Sequence, residues 1–182
     1  MRSLGLLLAL CAVALTSWVW LGGRDHSTPL QTRTTEAPPQ MILTGVHQLT
    51  TDASGVWLGT LQATRVLHFE AANRVQLEDP DWLSQHGAGT RQMTAQTATL
   101  IDEHFWTLEH QVRIQEQSPG NPPMRIKTEY LEYDTLLQQA TTPAAVALDQ
   151  AGRMTTEAIG MDIDFNAEEF FLHEQVRTRY WP

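Results

Sequence analysis

Cysteine is almost missing from this chain of 182 residues: the one present, Cys11, stands inside an apolar run near the N-terminus. Whatever follows that run holds together without disulfides, by hydrogen bonding and apolar burial alone. Positive charge is also scarce. Twelve Lys and Arg against twenty-one Asp and Glu leave a formal net charge of −9. That balance argues against a nucleic-acid partner and against a broad basic surface for anionic headgroups. Long apolar runs are missing too, with one exception. No charge occurs between Ser3 and Gly23, and Leu4 to Leu21 is rich in Leu, Ala and Val.

A segment of that length is enough to cross a bilayer at about 1.5 Å of rise per residue. Two rival readings stand beside the anchor. Ala12-Val13-Ala14 offers a small-residue cleavage site for a signal peptide. Cys11 offers a lipoprotein site, although Leu10 stands where a small residue is expected. Trp18-Val19-Trp20-Leu21 favours retention, since it extends the apolar run and places two tryptophans where a membrane meets water. Arg2 precedes the segment, while Arg24 and Asp25 cancel after it, so the N-terminus is expected in the cytoplasm and the body outside.

The expected organisation is an anchor over residues 1–22, a linker over 23–40 and a β-domain over 41–182. The linker is polar, proline-bearing and without periodicity. The remainder carries short alternating runs separated by turn signals such as Asp52-Ala53-Ser54-Gly55, His86-Gly87-Ala88-Gly89 and Asp149-Gln150-Ala151-Gly152. This spacing predicts an all-β, mainly antiparallel body. In one run Ile159, Met161, Ile163 and Phe165 alternate with Gly160, Asp162, Asp164 and Asn166, which predicts a strand with one apolar face. Trp106, Leu108, His110, Val112 and Ile114 share a face on another strand, as do Ala144, Val146 and Leu148. The stretch from Val56 to Phe69 mixes its faces and resists assignment by parity.

A degenerate internal repeat is visible. Leu108-Glu109-His110-Gln111-Val112 nearly matches Leu172-His173-Glu174-Gln175-Val176, and Val75, Val112, Val146 and Val176 recur at intervals of 37, 34 and 30 residues. A repeat of this size implies one supersecondary unit stacked on the next, which leaves two open sheet edges.

Catalytic chemistry is hard to find. Seven histidines are scattered; His104 and His110 share strand parity but stand roughly 20 Å apart at about 3.3 Å per residue, too far to share a metal ion. Asp162 and Asp164 point the same way, yet a charged outer face explains them better than paired catalytic carboxylates. Gly87-Ala88-Gly89 has neither the helix pattern nor the lysine of a phosphate loop. No cofactor is expected, and an enzyme is the weakest class. The apolar face is either a plain core, packed against a second sheet, or a groove that receives acyl chains at about 0.8 kcal/mol per buried methylene.

The order of short motifs resembles the LptC family. The matching features are Asp52-Ala53-Ser54-Gly55, Asp81-Trp82, Thr94-Ala95, Leu108-x-x-x-Val112, Ala140-Thr141, Val146, Gly160-Met161 and Leu172-x-x-x-Val176-Arg177-Thr178-x-Tyr180. They follow one apolar anchor and a proline-bearing linker, over nearly the whole chain. There are departures: Glu109-His110-Gln111 stands where relatives often have glycine, and Ala158-Ile159 precedes Gly160-Met161 where Gly-x-Gly-Met is common.

The resemblance implies a twisted open β-jellyroll of the LptA type behind a transmembrane helix. Its interior would take lipopolysaccharide from the transporter of LptB, LptF and LptG and pass it to periplasmic LptA. The implied lipid-contacting residues are Val46, Leu108, Val112, Val146, Met161, Ile163, Phe165, Phe170 and Leu172. The C-terminal edge, Val176, Arg177, Thr178, Arg179 and Tyr180, would face LptA, and the N-terminal edge and anchor would face LptF and LptG in the inner membrane. The competing function is an anchored periplasmic scaffold that binds envelope proteins and carries no lipid.

Overall fold

A computed structural model describes residues 38–181. The expected anchor, and all of the linker before Pro38, lie outside the described residues. The body is one antiparallel sheet of eleven strands. In chain order they are β1 (Met41–Thr51), β2 (Trp57–Phe69), β3 (Arg74–Glu78), β4 (Asp81–His86), β5 (Gly89–Thr94) and β6 (Thr97–Ile101). Then come β7 (Phe105–Gln117), β8 (Met124–Asp134), β9 (Gln139–Gln150), β10 (Met154–Asp164) and β11 (Glu169–Tyr180).

The register shows a simpler plan. β2 pairs with β4 through Gly59–Gln62 and with β3 through Arg65–Phe69. β7 pairs with β6 through Phe105–Glu109 and with β5 through Arg113–Gln117. β3 and β4 therefore act as one lane bent at Asp79-Pro80, and β5 and β6 as one lane bent at Ala95-Gln96. Backbone bonds stitch these bends: Asp79 N–H donates to Gln96 O at 2.7 Å, and Gln96 N–H to His110 O at 2.9 Å. Eleven strands with two such mergers make nine lanes, each paired only with its neighbours.

Nearly every lane breaks direction at mid-length, and the breaks line up as a crease. Residues there take left-handed backbone: Gly45 (φ 61), Asp79 (φ 49), His110 (φ 63), Gln111 (φ 53), Gly160 (φ 78) and Gln175 (φ 53). The pairing registers slip at the same places, between Glu109 and Val112, Lys127 and Glu132, and Ile159 and Met161. Bulges of this kind add a residue, bend the strand and reset which face a side chain meets. The crease divides the sheet into two layers that face one another. Trp82 on β4 packs on Trp106 of β7 at 5.7 Å and on Tyr133 of β8 at 5.9 Å, across the gap between layers.

Two expectations from strand parity fail at these bulges. Ile159 was expected inside with Met161, but the left-handed turn at Gly160 puts it outside at 36% exposure, while Met161 is fully buried. Ala158 and Thr156 take the inner face instead. His110 was expected beside Leu108 and Val112, but its own left-handed backbone throws it into solvent. The mixed pattern of Val56–Phe69 has the same cause. β2 crosses the crease, so the residues it sends to the core, Leu61, Ala63 and Val66, do not keep one parity.

The internal repeat has a structural basis, with one correction. Val112 and Val176 each follow a left-handed residue at the crease, and Val146 follows Pro143 there. These lanes run in the same direction, separated by one returning lane, so the period is a two-lane hairpin. Val75 does not belong, since it lies in β3 before the crease; Val46, directly after Gly45, takes that role.

Candidate functional site: the interior of the roll and its free edges

Six of the nine residues assigned to lipid contact lie in a single apolar interior, and the other three join its margin. Leu108, Val112, Val146, Met161, Ile163 and Phe165 are buried, while Phe170, Leu172 and Val46 are half-buried and pack against them. Val46 lies on the first lane, and Phe170 and Leu172 on the last, so the interior runs from one edge of the sheet to the other. Its centre is filled: Leu131, Val112, Ile114, Ile126, Met161 and Ile163 all have 1% exposure or less. Burial of such side chains contributes about 1.5–3 kcal/mol each.

Polar groups inside the crease are threonines, each with a partner. Thr128 Oγ1 and Thr142 Oγ1 lie 3.4 Å apart, and Thr142 Oγ1 accepts from the Ala144 N–H at 3.1 Å. Away from the crease the interior becomes aromatic. Tyr133 meets Phe165 edge to face at 5.5 Å, and the Arg91 guanidinium lies 3.5 Å from the centre of the Phe165 ring. Burial pushes the Tyr133 phenol above its ordinary value, and the charge of Arg91 works against that shift. Arg91 was missed from sequence, and Trp82 and Trp106, although noted in a motif and on an apolar face, were not assigned to the site. Arg91 shares strand parity with Met93, a signal that it points inward, but an arginine reads as solvent-facing by default.

The outer face is polar and ordered by short hydrogen bonds. Asp162 accepts from the Thr141 hydroxyl at 2.6 Å and shares a 2.9 Å hydrogen bond with His173, and these two contacts hold its carboxyl below the usual range. Tyr130 donates to Glu132, which pushes its phenol up to about 12. Among the described residues, no three His, Cys, Asp or Glu side chains gather closely enough to hold a metal ion.

Among the described residues, both edges of the sheet are unpaired. β1 pairs only with β2, and β11 only with β10. β1 carries exposed Ile42 and Leu49, and β11 carries exposed Phe171, Val176 and Tyr180. Val176, Arg177, Thr178, Arg179 and Tyr180 all lie in this last strand and all are exposed. An edge of this length, apolar in places and uncovered, offers strand addition to another sheet.

The fold has a solved counterpart. The LptA-homologous periplasmic component of the lipopolysaccharide transport device from Pseudomonas aeruginosa, LptH, superposes with a TM-score of 0.56. The alignment covers 67% of this chain and 94% of that one at 13% identity, a likeness of fold. No curated protein matches by sequence. The family model described as lipopolysaccharide-assembly, LptC-related matches residues 6–181, nearly the full length. The chain belongs to the LptC-related family of lipopolysaccharide-assembly proteins.

Proposed function

We propose that this chain is the single-pass inner-membrane component of the lipopolysaccharide bridge. Family membership supports a role in lipopolysaccharide transport. In the proposed arrangement Leu4 to Leu21 anchors the chain with its N-terminus in the cytoplasm, and the β-body stands in the periplasm. The β1 edge receives the amphiphile from LptF, in the transporter with LptB and LptG, and the β11 edge passes it to LptA.

The observation that carries this reading is the continuous apolar interior that begins at Val46 and ends at Leu172, each beside an unpaired edge. Main-chain hydrogen bonds at such edges would join neighbouring sheets and align their apolar faces. Acyl chains would enter between the two layers and displace side-chain contacts near the crease.

The filled centre favours a second reading: an anchored scaffold that joins envelope proteins by its edges and keeps a closed core. Photocrosslinking in cells separates the two. A probe at Ile163, compared with one at exposed Asp162, yields ATP-dependent lipopolysaccharide adducts at the inner position only if the interior is the lipid path. Partner adducts near Arg179 with no lipid adduct at Ile163, in a folded protein, would establish the scaffold.

A further inference from the structure

Charge on the outside of the body is sorted by layer. In the layer that carries Val112 and Val146, the outer surface of lanes β7 to β11 has Arg113 opposite Lys127 in one row and Arg125 in the next. Arg177 and Arg179 close these two rows on β11. All five cations are exposed, and none forms an ion pair among the described residues. The rows hold two carboxylates, Glu157 and Asp149. In the other layer the same lanes carry the reverse. Glu132 and Asp162 lie in one row, Asp134, Asp164 and Glu169 in the next, and neither row has a Lys or Arg. The two layers face one another, so the basic and acidic surfaces look in opposite directions. On the basic side Ala145 and Ala147 leave a dish of about 480 Å³, bordered by Arg113, Lys127 and Glu157, which opposing side chains can enter.

We propose that these two surfaces form a lateral interface between copies of this chain, the basic face of one against the acidic face of the next, with the strand edges left free. Both halves of the contact lie in lanes β7 to β11, at the same height between the two edges of the sheet. A second copy shifted sideways, without rotation, therefore sets carboxylates opposite guanidinium and ammonium groups. The anchored arrangement proposed above gives all copies one orientation, which a sideways shift preserves, and the inference rests on that arrangement. Each copy uses a different surface on either side, so the contact is heterologous and extends into an open row. The net charge of −9 does not forbid it. Sheets stack about 10 Å apart, and charges beyond a Debye length of about 8 Å are largely screened. A basic face thus responds to the acidic face it touches more than to the one behind it. Two rows across five lanes make a small polar contact, below the roughly 1,000 Å² of a lasting interface, so the row depends on confinement to one membrane.

The test places the full chain, with donor or acceptor dyes in the Ser118–Asn121 turn, in phosphatidylcholine liposomes and measures energy transfer between copies. Transfer is expected above that of randomly placed copies at low salt. It falls to the random level at about 1 M salt, where the Debye length is about 3 Å. Salt-independent transfer would overturn the interface. Arg125→Glu with Lys127→Glu, and separately Glu132→Lys with Glu169→Lys, each bring transfer to the random level. A mixture of the two variants restores it, because each retains the face the other has lost. The acidic-face variant discriminates further. It moves the net charge toward zero, so general repulsion predicts more transfer and the interface predicts less; more transfer would overturn the proposal. Unchanged transfer in both variants would also overturn it and assign association to the strand edges. Loss of transfer on adding phosphatidylglycerol to the liposomes would reassign the basic face to the lipid surface. If a variant does not fold, as judged by circular dichroism, the salt dependence of the wild-type chain decides. Random transfer from a wild-type chain retained in the liposomes overturns the interface alone. A chain that washes off at alkaline pH overturns the anchored arrangement and the interface together.

Discussion

The His173 ring of β11 roofs Gly160 of β10: a Cβ on Gly160 would stand 2.6 Å from the ring's Nδ1. The same glycine has φ 78, so it serves both the crease and the cross-strand contact. Gly160→Ala is expected to cost about 1–3 kcal/mol, from left-handed strain plus displacement of the ring. In a His173→Ala background the same change costs less, because the backbone penalty alone remains. Equal costs in both backgrounds, by denaturant unfolding, would dismiss the roof as a determinant.

At the matching bend of β7 two non-glycine residues, His110 and Gln111, hold left-handed backbone in succession. Left-handed backbone costs an L-residue about 1–2 kcal/mol, and glycine loses about 0.5–1 kcal/mol of that advantage through its freer unfolded chain. Gln111→Gly is thus expected to raise stability by up to about 1 kcal/mol. The hydrogen bond from the residue 111 N–H to Glu129 uses no side-chain atom of Gln111 and survives. A fall in melting temperature would contradict this.

Acid sensitivity follows from Asp162, Asp164 and Asp52, whose hydrogen bonds all hold their carboxyls below the ordinary aspartate range. A carboxyl lowered on folding stabilises the fold above its unfolded value, and that contribution is lost as pH falls through the lower folded value. Stability is therefore flat in this respect above about pH 4 and declines below it. Asp162→Asn is expected to flatten the acid limb of a melting-temperature profile, since its Thr141 and His173 contacts no longer depend on ionisation. An unchanged slope would assign the acid limb to other groups.

The free edge can be tested residue by residue. Trp181 N–H donates to Arg153 O at 3.0 Å, so the Arg179 N–H also faces β10, while those of Thr178 and Tyr180 face away. Proline is tolerated where an edge N–H points to solvent. Tyr180→Pro is expected to leave the melting temperature nearly unchanged and to weaken capture of a strand-adding partner roughly tenfold. Arg179→Pro should instead lower stability by about 1–2 kcal/mol through a lost ladder bond. Undiminished capture by Tyr180→Pro would place the partner elsewhere.

Much of the body was legible because alternation is local. Met161, Ile163 and Phe165 declared one face of β10, and Val146 and Leu148 one face of β9, through period-two patterning alone. Ile159 and His110 were misplaced because a single left-handed residue reverses or ejects the pattern, and nothing in the identity of His110 or Gln111 announces that backbone. Arg91 was invisible for a different reason: its burial is stabilised by Glu116, on a strand 25 residues later, and by Phe165 in the opposite layer. Contacts across layers have no period in the sequence.

The nine-lane count sets the polarity of assembly. Each lane reverses the one before it, so the first and last lanes run in the same direction. A like module added to either edge in the same orientation must therefore join by parallel pairing, with its slanted and evenly spaced bonds. An antiparallel joint requires a module turned end over end, which reverses the sense in which its lanes pass from one layer to the other. A filament built from such units in one sense thus has a head and a tail fixed by the backbone, before any side chain distinguishes them.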